Sequence, residues 1–223
     1  MKRFGITMPI LLRLMMAGAV VGVLTFHGYG AELAGAEAAE SADVYMSLSV
    51  VGGFPEAQGM NLAGQEVSKS NAHRSLGAGF KVGVFPEATS RVLGIELEYF
   101  GTTGRLSAAN RNSAEGAAGL TVLNSMVNVM VRQPSGSVRP YGGVGVGYSG
   151  GILHGADFPG RSNRAFDSTS NFAYQFMGGV QWEVRGQTFL FAEYKHLMTT
   201  FHWKAVSFDY RANYVLGGIG LNF

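Results

Sequence analysis

The chain has 223 residues, of which 47% are hydrophobic and 14% charged, with 33 glycines, no cysteine and a formal net charge of +2. Soluble domains usually carry about 25% charged residues and about 7% glycine, so an ordinary soluble enzyme is disfavoured. The 12% aromatic content argues equally against disorder, and the lack of cysteine excludes a disulfide scaffold, a thiolate metal site and a lipid-modified N-terminal cysteine.

Lys2, Arg3 and Arg13 precede an apolar run from Leu14 to Leu24, and small residues follow it. This is the pattern of a secretory signal. Residues 1–36 are assigned to it, with cleavage after Gly30 or Ala36, and residues 37–223 to a single β-barrel domain. A membrane anchor would need about 20 apolar residues, and Arg13 interrupts any upstream extension of the run. Removing residues 1–36 takes away three basic residues and one acidic residue, leaving 14 of each. The mature chain is then neutral, with no positive field to attract nucleic acid.

Beyond residue 42 apolar residues recur with period two, the signature of strands. Eight segments are predicted as strands: 43–53, 76–85, 91–101, 120–132, 138–148, 172–184, 187–198 and 211–223. Each has about the ten residues that a tilted membrane strand needs. The connections alternate between long (54–75, 102–119, 149–171, 199–210) and short (86–90, 133–137, 185–186), the rhythm of an up-and-down antiparallel barrel. Pro86, Pro134 with Gly136, and Gly186 supply turn chemistry in the short ones. The long ones, as in 107–118 and 155–171, are rich in Gly, Ser, Asn and Ala and are expected to be solvated, mobile loops.

Within the strands one face is oily and the other polar. Leu93, Ile95, Leu97 and Tyr99 oppose Gly94, Glu96, Glu98 and Phe100; Tyr174, Phe176, Val180 and Trp182 oppose Gln175, Gly179, Gln181 and Glu183. Alternation by itself fits a soluble barrel as well as its inverse. The polar face, however, mixes carboxylates, cations, amides and glycines, a composition suited to a crowded interior. It carries Glu96, Glu98, Glu183 and Glu193 against Lys81, Arg132, Arg139 and Lys195. Charges enclosed in a narrow barrel persist only when paired and hydrogen-bonded, and eight strands leave an interior that side chains just fill. The expectation is a balanced polar plug and a transmembrane barrel with its oily face outward. The last strand adds Val215, Ile219, Leu221 and Phe223 on one face, and an aromatic at such a position can join an interfacial girdle.

With the stretches Gly94-Ile95-Glu96-Leu97-Glu98-Tyr99-Phe100, Pro140-Tyr141-Gly142-Gly143-Val144-Gly145 and Ala192-Glu193-Tyr194, and terminal Phe223, residues 43–223 resemble the small OmpA/OmpX-like, opacity-type outer-membrane β-barrels of Gram-negative bacteria. The resemblance implies Sec export, recognition of the final strand (Val215, Ile219, Leu221, Phe223) by the barrel-assembly machinery, short turns toward the periplasm and long loops outward. It also implies contact with outer-membrane lipid and lipopolysaccharide, and a structural or surface role with adhesion or host- or matrix-protein binding as its specific form. A monomer without nucleic-acid partner is expected.

No catalytic, cofactor or metal site is predicted. Gly145, Gly147 and Gly150 have dinucleotide spacing, but that motif must open a helix, and inward glycines making room for large neighbours are the structural reading. The histidines His73, His154, His196 and His202 form no helical metal pair. A lipid A-modifying enzyme would need a histidine beside a serine or an acid; His196 with His202, Ser207 and Asp209 is the best local set, and it lacks the His-x-Ser-Asn run of known barrel deacylases. A narrow ion channel is the further alternative. Phe201, His202, Trp203, Phe208 and Tyr210 make the last long loop aromatic, readable as girdle residues above the membrane or as an exposed patch that grips a partner.

Overall fold

The computed structural model describes residues 42–62, 65–66, 69–110, 113–157, 167–203 and 206–223, so the segment assigned to the signal lies outside the described residues. Among the described residues there are ten strands: β1 (Ala42–Leu62), β2 (Gln65–Glu66), β3 (Lys69–Ala72), β4 (Ser75–Pro86), β5 (Leu93–Asn110), β6 (Ser113–Arg132), β7 (Val138–Asp157), β8 (Asp167–Arg185), β9 (Thr188–His202) and β10 (Val206–Asn222). Sequential neighbours pair antiparallel from β4 to β10, β1 lies beside β4, and β10 returns to pair with β1. Eight long staves thus close into an up-and-down barrel, with β2 and β3 as short additions on β1 and β5. Closure leaves no edge, so every backbone group in the wall can find a partner without water.

The short turns have the chemistry the sequence predicts. A 3-10 turn at Glu87–Thr89 follows Pro86, with Ser90 and Arg91 left-handed after it. Gly136 and Gly186 adopt positive φ, 106° and 58°, a conformation in which glycine avoids the steric cost other residues meet.

The opposite end departs from expectation. The segments 102–110, 113–119 and 149–157, expected as loops, are continuations of β5, β6 and β7, with pairs such as Arg105↔Gly119 and Ser107↔Ala117. Pairing is a backbone property, and Gly, Ser and Ala do not forbid it; their small polar side chains only removed the oily alternation by which strands are recognised. β6 alone, 20 residues long, reaches about 50 Å along the barrel axis at strand rise and tilt, roughly twice the height of an apolar band.

The faces change character along this length. At the short-turn end, Ile95 is 56% exposed, Val129 53% and Phe176 53%, while Glu96 and Glu98 beside them are buried. From Trp182 to Phe172 the outer face of β8 is dominated by apolar side chains, a span of about 25 Å, the height of a barrel's lipid-facing band. Beyond it the order inverts: Arg74, Arg105, Asp209 and Arg211 point outward, and Leu106, Leu120, Leu153, Phe201 and Phe208 are buried inside.

Ile95 and Val129 are direct cross-strand partners within the lower, oily zone. They stand about 5 Å above Leu93, and the next outward pair, Leu97 and Val127, about 10 Å above it, near the middle of the band. Leu97→Arg or Val127→Arg is expected to cost about 2–4 kcal/mol and Ile95→Arg or Val129→Arg about 1–2 kcal/mol, read from urea titrations in lipid vesicles; a tolerated arginine at Leu97 or Val127 would mean that the two faces are assigned backwards.

Candidate functional site

The charged interior is built by the inward positions of β4, β5 and β9, with polar partners from β1, β6, β7 and β8. Lys81, Glu96, Glu98, Glu193 and Lys195 are each at most 3% exposed and meet at one level. Lys81 Nζ lies 2.6 Å from Glu193 Oε2 and 3.6 Å from both Glu96 and Glu98. Lys195 bonds both oxygens of Glu98 and lies 3.0 Å from Glu193 Oε1, an ion-pair contact not aligned as a hydrogen bond. Neutral donors complete the shell. Asn128 Nδ2 donates to Glu96 at 2.8 Å and Gln175 Nε2 to Glu98 at 2.9 Å. The Tyr141 hydroxyl donates to Glu193 at 2.9 Å and that of Tyr45 to Glu96 at 2.5 Å. Ammonium groups also face rings: Lys81 lies 5.4 Å from the Phe191 centroid and Lys195 5.0 Å from that of Phe100.

Arg132, Arg139 and Glu183 do not join this cluster. They form a second one at the short-turn mouth, where Arg139 pairs with Glu183 and Arg132 donates to Asp43 at 2.7 Å while lying 3.8 Å over the Phe85 ring. Asp43 also faces Arg91 and Arg139. The deeper layer holds three carboxylates and two ammonium groups and the mouth two carboxylates and three guanidinium groups, so the charges balance five against five only across both layers together. Sequence reasoning missed Asp43, Tyr45 and Arg91. Asp43 and Tyr45 share the inward parity of β1, a signal present in the pattern; Arg91, at the start of the predicted strand 91–101, takes the parity of the oily row there, but it sits in the turn before Leu93, where that parity does not hold.

Glycine gives these side chains their room. A Cβ at Gly83 would fall 2.4 Å from the Tyr45 ring, so any side chain there would displace the residue that donates to Glu96. Gly145 and Gly147 have the same basis, since a Cβ there would collide with Asn128 Oδ1 and with the Ser125 carbonyl, whereas at Gly150 it would meet nothing nearer than 3.8 Å; β7 runs through all three to Asp157, so they open no helix.

The aromatic residues near the far end require a correction. Phe201, Trp203, Phe208 and Tyr210 neither extend as girdle residues nor form an exposed patch: they are 0%, 7%, 2% and 1% exposed and face inward. The period-two alternation of β9 and β10 continues through the expected loop, placing 197, 199 and 201, and 208, 210, 212 and 214, on the inner side. The rings pack at tilted angles into a plug, with Phe201 5.3 Å from both Trp203 and Tyr210 and Trp203 5.6 Å from Phe208. His202 alone of the five points outward.

Of the histidine set for a lipid A-modifying enzyme, the register brings His202, Ser207 and Asp209 to neighbouring outer positions and leaves His196 apart. His196 faces outward and contacts Asn213 at 2.7 Å, as does the Tyr194 hydroxyl. His202 lies six residues farther along β9, about 20 Å away at strand rise, opposite Ser207. Asp209 accepts from Thr200 at 2.9 Å. Val215, Ile219, Leu221 and Phe223 of the last strand lie on the outer face, 43–62% exposed, and Val215, Ile219 and Leu221 pair with Gly52, Leu48 and Met46. Among the described residues no group of three His, Cys, Asp or Glu is placed to hold a metal.

Three substitutions separate the two interiors. Lys195→Met leaves Glu98 without its closest cation and is expected to cost about 3–5 kcal/mol in vesicle unfolding, while Glu98→Gln weakens the network without blocking insertion. Phe201→Ala is expected to cost about 3–5 kcal/mol as a core truncation; a loss below about 0.5 kcal/mol, as at an exposed site, would contradict the plug.

A comparison of the sequence with curated proteins finds no match. Solved structures with the same fold include outer membrane protein OprG of Pseudomonas aeruginosa (12% identity, TM-score 0.60, covering 82% of this chain and 96% of that one) and Neisserial surface protein A (13%, 0.55, 82% and 99%). A third is Ail, the attachment invasion locus protein of Yersinia pestis (12%, 0.51, 82% and 99%). The family model described as the outer membrane protein beta-barrel domain matches residues 30–223, and the chain belongs to that family, an eight-stranded barrel of the Gram-negative outer membrane.

Proposed function

We propose that the protein is a closed, non-catalytic surface barrel that contributes to envelope integrity and presents its far end outside the cell, where it binds a host or matrix component. The observation that carries this reading is the filled interior: a charged layer sealed by hydrogen bonds below an aromatic plug. Two cavities, one bounded by Lys81, Glu96 and Tyr141 and the other by Thr102, Val122 and Tyr210, hold about 20 and 10 Å³, room for a water or two. In this reading residues 1–36 direct Sec export, the barrel-assembly machinery recognises the outward row of the last strand, the short turns face the periplasm, and the barrel stands as a monomer among lipid and lipopolysaccharide. The adhesive surface is the outer wall of the projecting strands rather than the aromatic residues, which are occupied inside. Ail, a protein of the same fold, is described as an attachment invasion protein and was solved with the heparin analogue sucrose octasulfate, which supports a surface-binding role.

Refolded protein in planar bilayers is expected to give no stable conductance steps above those of protein-free membranes. Cells displaying the chain are expected to bind matrix-coated wells more than cells that do not. Ohmic steps from the wild type would overturn the closed barrel, and equal binding by both cell populations would overturn adhesion.

A further inference from the structure

Where the oily band ends, the outer wall carries a cluster of cations that the interior chemistry does not use. β4 pairs with β5 in the register Leu76↔Thr103, whereas β3 pairs with it as Ala72↔Leu106, so one extra residue is accommodated between them. This is a β-bulge at His73 and Arg74, and its effect is to set two successive side chains on one face. Both are exposed, as is Arg105 directly across from them, with His73 N–H donating to the Arg105 carbonyl at 2.8 Å and His73 Nε2 3.2 Å from Ser107 Oγ. Neither Arg74 nor Arg105 forms an ion pair among the described residues. Arg74 instead lies 5.6 Å from the centroid of the outward Phe54 ring.

Like charges set opposite one another across a strand pair are destabilising unless something neutralises them. Next along the wall the His154 ring lies over Gly119. Gly119 opposes Arg105 on one side and His154 on the other, and a Cβ at Gly119 would fall 2.5 Å from the His154 ring; that ring is 3.0 Å from the Thr121 hydroxyl. The level of the cluster identifies what could fill it. Arg74 is two residues beyond Leu76, which is 69% exposed, and Arg105 stands about 30 Å above Leu93 along the tilted wall, just past the band of about 25 Å that acyl chains cover. Lipid phosphates lie at that height.

We propose that Arg74 and Arg105, brought together by the bulge, bind the phosphate of an outer-leaflet lipid A molecule whose acyl chains lie along the oily band below. His154, lying over Gly119, and Thr121 provide the remaining contact surface. The orientation rests on the reading that the far end faces outward. Arginine forks match phosphate oxygens in geometry as well as charge.

The test uses the full mature chain folded into phosphatidylcholine vesicles that contain a small fraction of lipid A, or lipid A stripped of its phosphates, and measures the lipid retained after detergent extraction and affinity capture. The wild type is expected to retain the phosphorylated form about tenfold over the stripped one, and R74Q/R105Q to retain both alike. R74K/R105K is expected to keep most of the selectivity, and R105Q to lose about half of it on a logarithmic scale. All variants should remain heat-modifiable in pure phosphatidylcholine, since both side chains are exposed and form no ion pair among the described residues. Equal retention of the two lipids by the wild type, or undiminished selectivity in R74Q/R105Q, would overturn the proposal. So would capture of soluble heparin in place of lipid A, which would assign the patch to a sulfated polymer. Vesicles contain no host partner, so a failure here is distinct from a failure of adhesion on cells.

Discussion

The constraint on which the structure depends is that a backbone crossing hydrocarbon must satisfy its own hydrogen bonds. The return of β10 to β1, in a register running from Tyr45↔Asn222 to Leu62↔Val206 with one irregularity, meets it by removing the sheet's edge. Closure with eight staves then fixes the interior width, and the width fixes the chemistry. A lumen this narrow admits side chains and little water, so each charge that enters must bring its partner. The glycines follow from the same limit: Tyr45 can lie across the lumen only because position 83 has no side chain.

Why the interior retains charges at all is a question of relative cost. Removing a carboxylate or ammonium from water costs several kcal/mol, which a single ion pair seldom returns in full. Here no carboxylate of the deep layer relies on one contact. Glu98 receives Lys195, Gln175 and Asn128, and Glu96 receives Tyr45 and Asn128 with Lys81 nearby. Such a network gains from the low dielectric that penalises an isolated charge, and the loss of any one member exposes the others to the full penalty. The two layers each carry a residual charge of opposite sign, which ties the mouth to the deep cluster electrostatically.

Much of this was legible in the sequence, because alternation with period two reports the two faces directly. The rows through Ile95 and Glu96, and through Trp182 and Gln181, were readable from parity, and so was the membership of the polar face. Which cation meets which carboxylate was not, since pairing depends on register: Lys81↔Glu98 and Glu98↔Met126 are cross-strand neighbours, while Lys81 and Glu193 meet across the lumen. The far-end extensions were hidden because Thr, Gly, Ser and Ala read as loop although their backbones pair. Phe201 and Tyr210 were misplaced for the same reason: once the loop is a strand, parity turns them inward. The bulge at His73 and Arg74 leaves no mark in composition, because it exists only as a difference between two registers.

The inversion of polarity along the barrel shows the solvent, rather than the fold, choosing which face is oily. In β10 the outer positions 215, 219, 221 and 223 are apolar and 209, 211 and 213 are Asp, Arg and Asn, while the inner positions pass from Asn222 and glycines to Tyr214, Tyr210 and Phe208. One strand with one unbroken alternation thus obeys two rules in succession. Beside lipid the outer wall supplies the apolar surface and the lumen holds the charges; beyond it the outer wall meets water and the lumen becomes an ordinary hydrophobic core, as in a soluble barrel. The far end therefore has a driving force of its own, in which burial of Phe201, Trp203, Phe208 and Tyr210 holds the projecting strands together where no bilayer supports them. The boundary between the regimes is the one height at which cations such as Arg74 and Arg105 can stand next to Leu76 and Phe54 with both kinds of side chain satisfied.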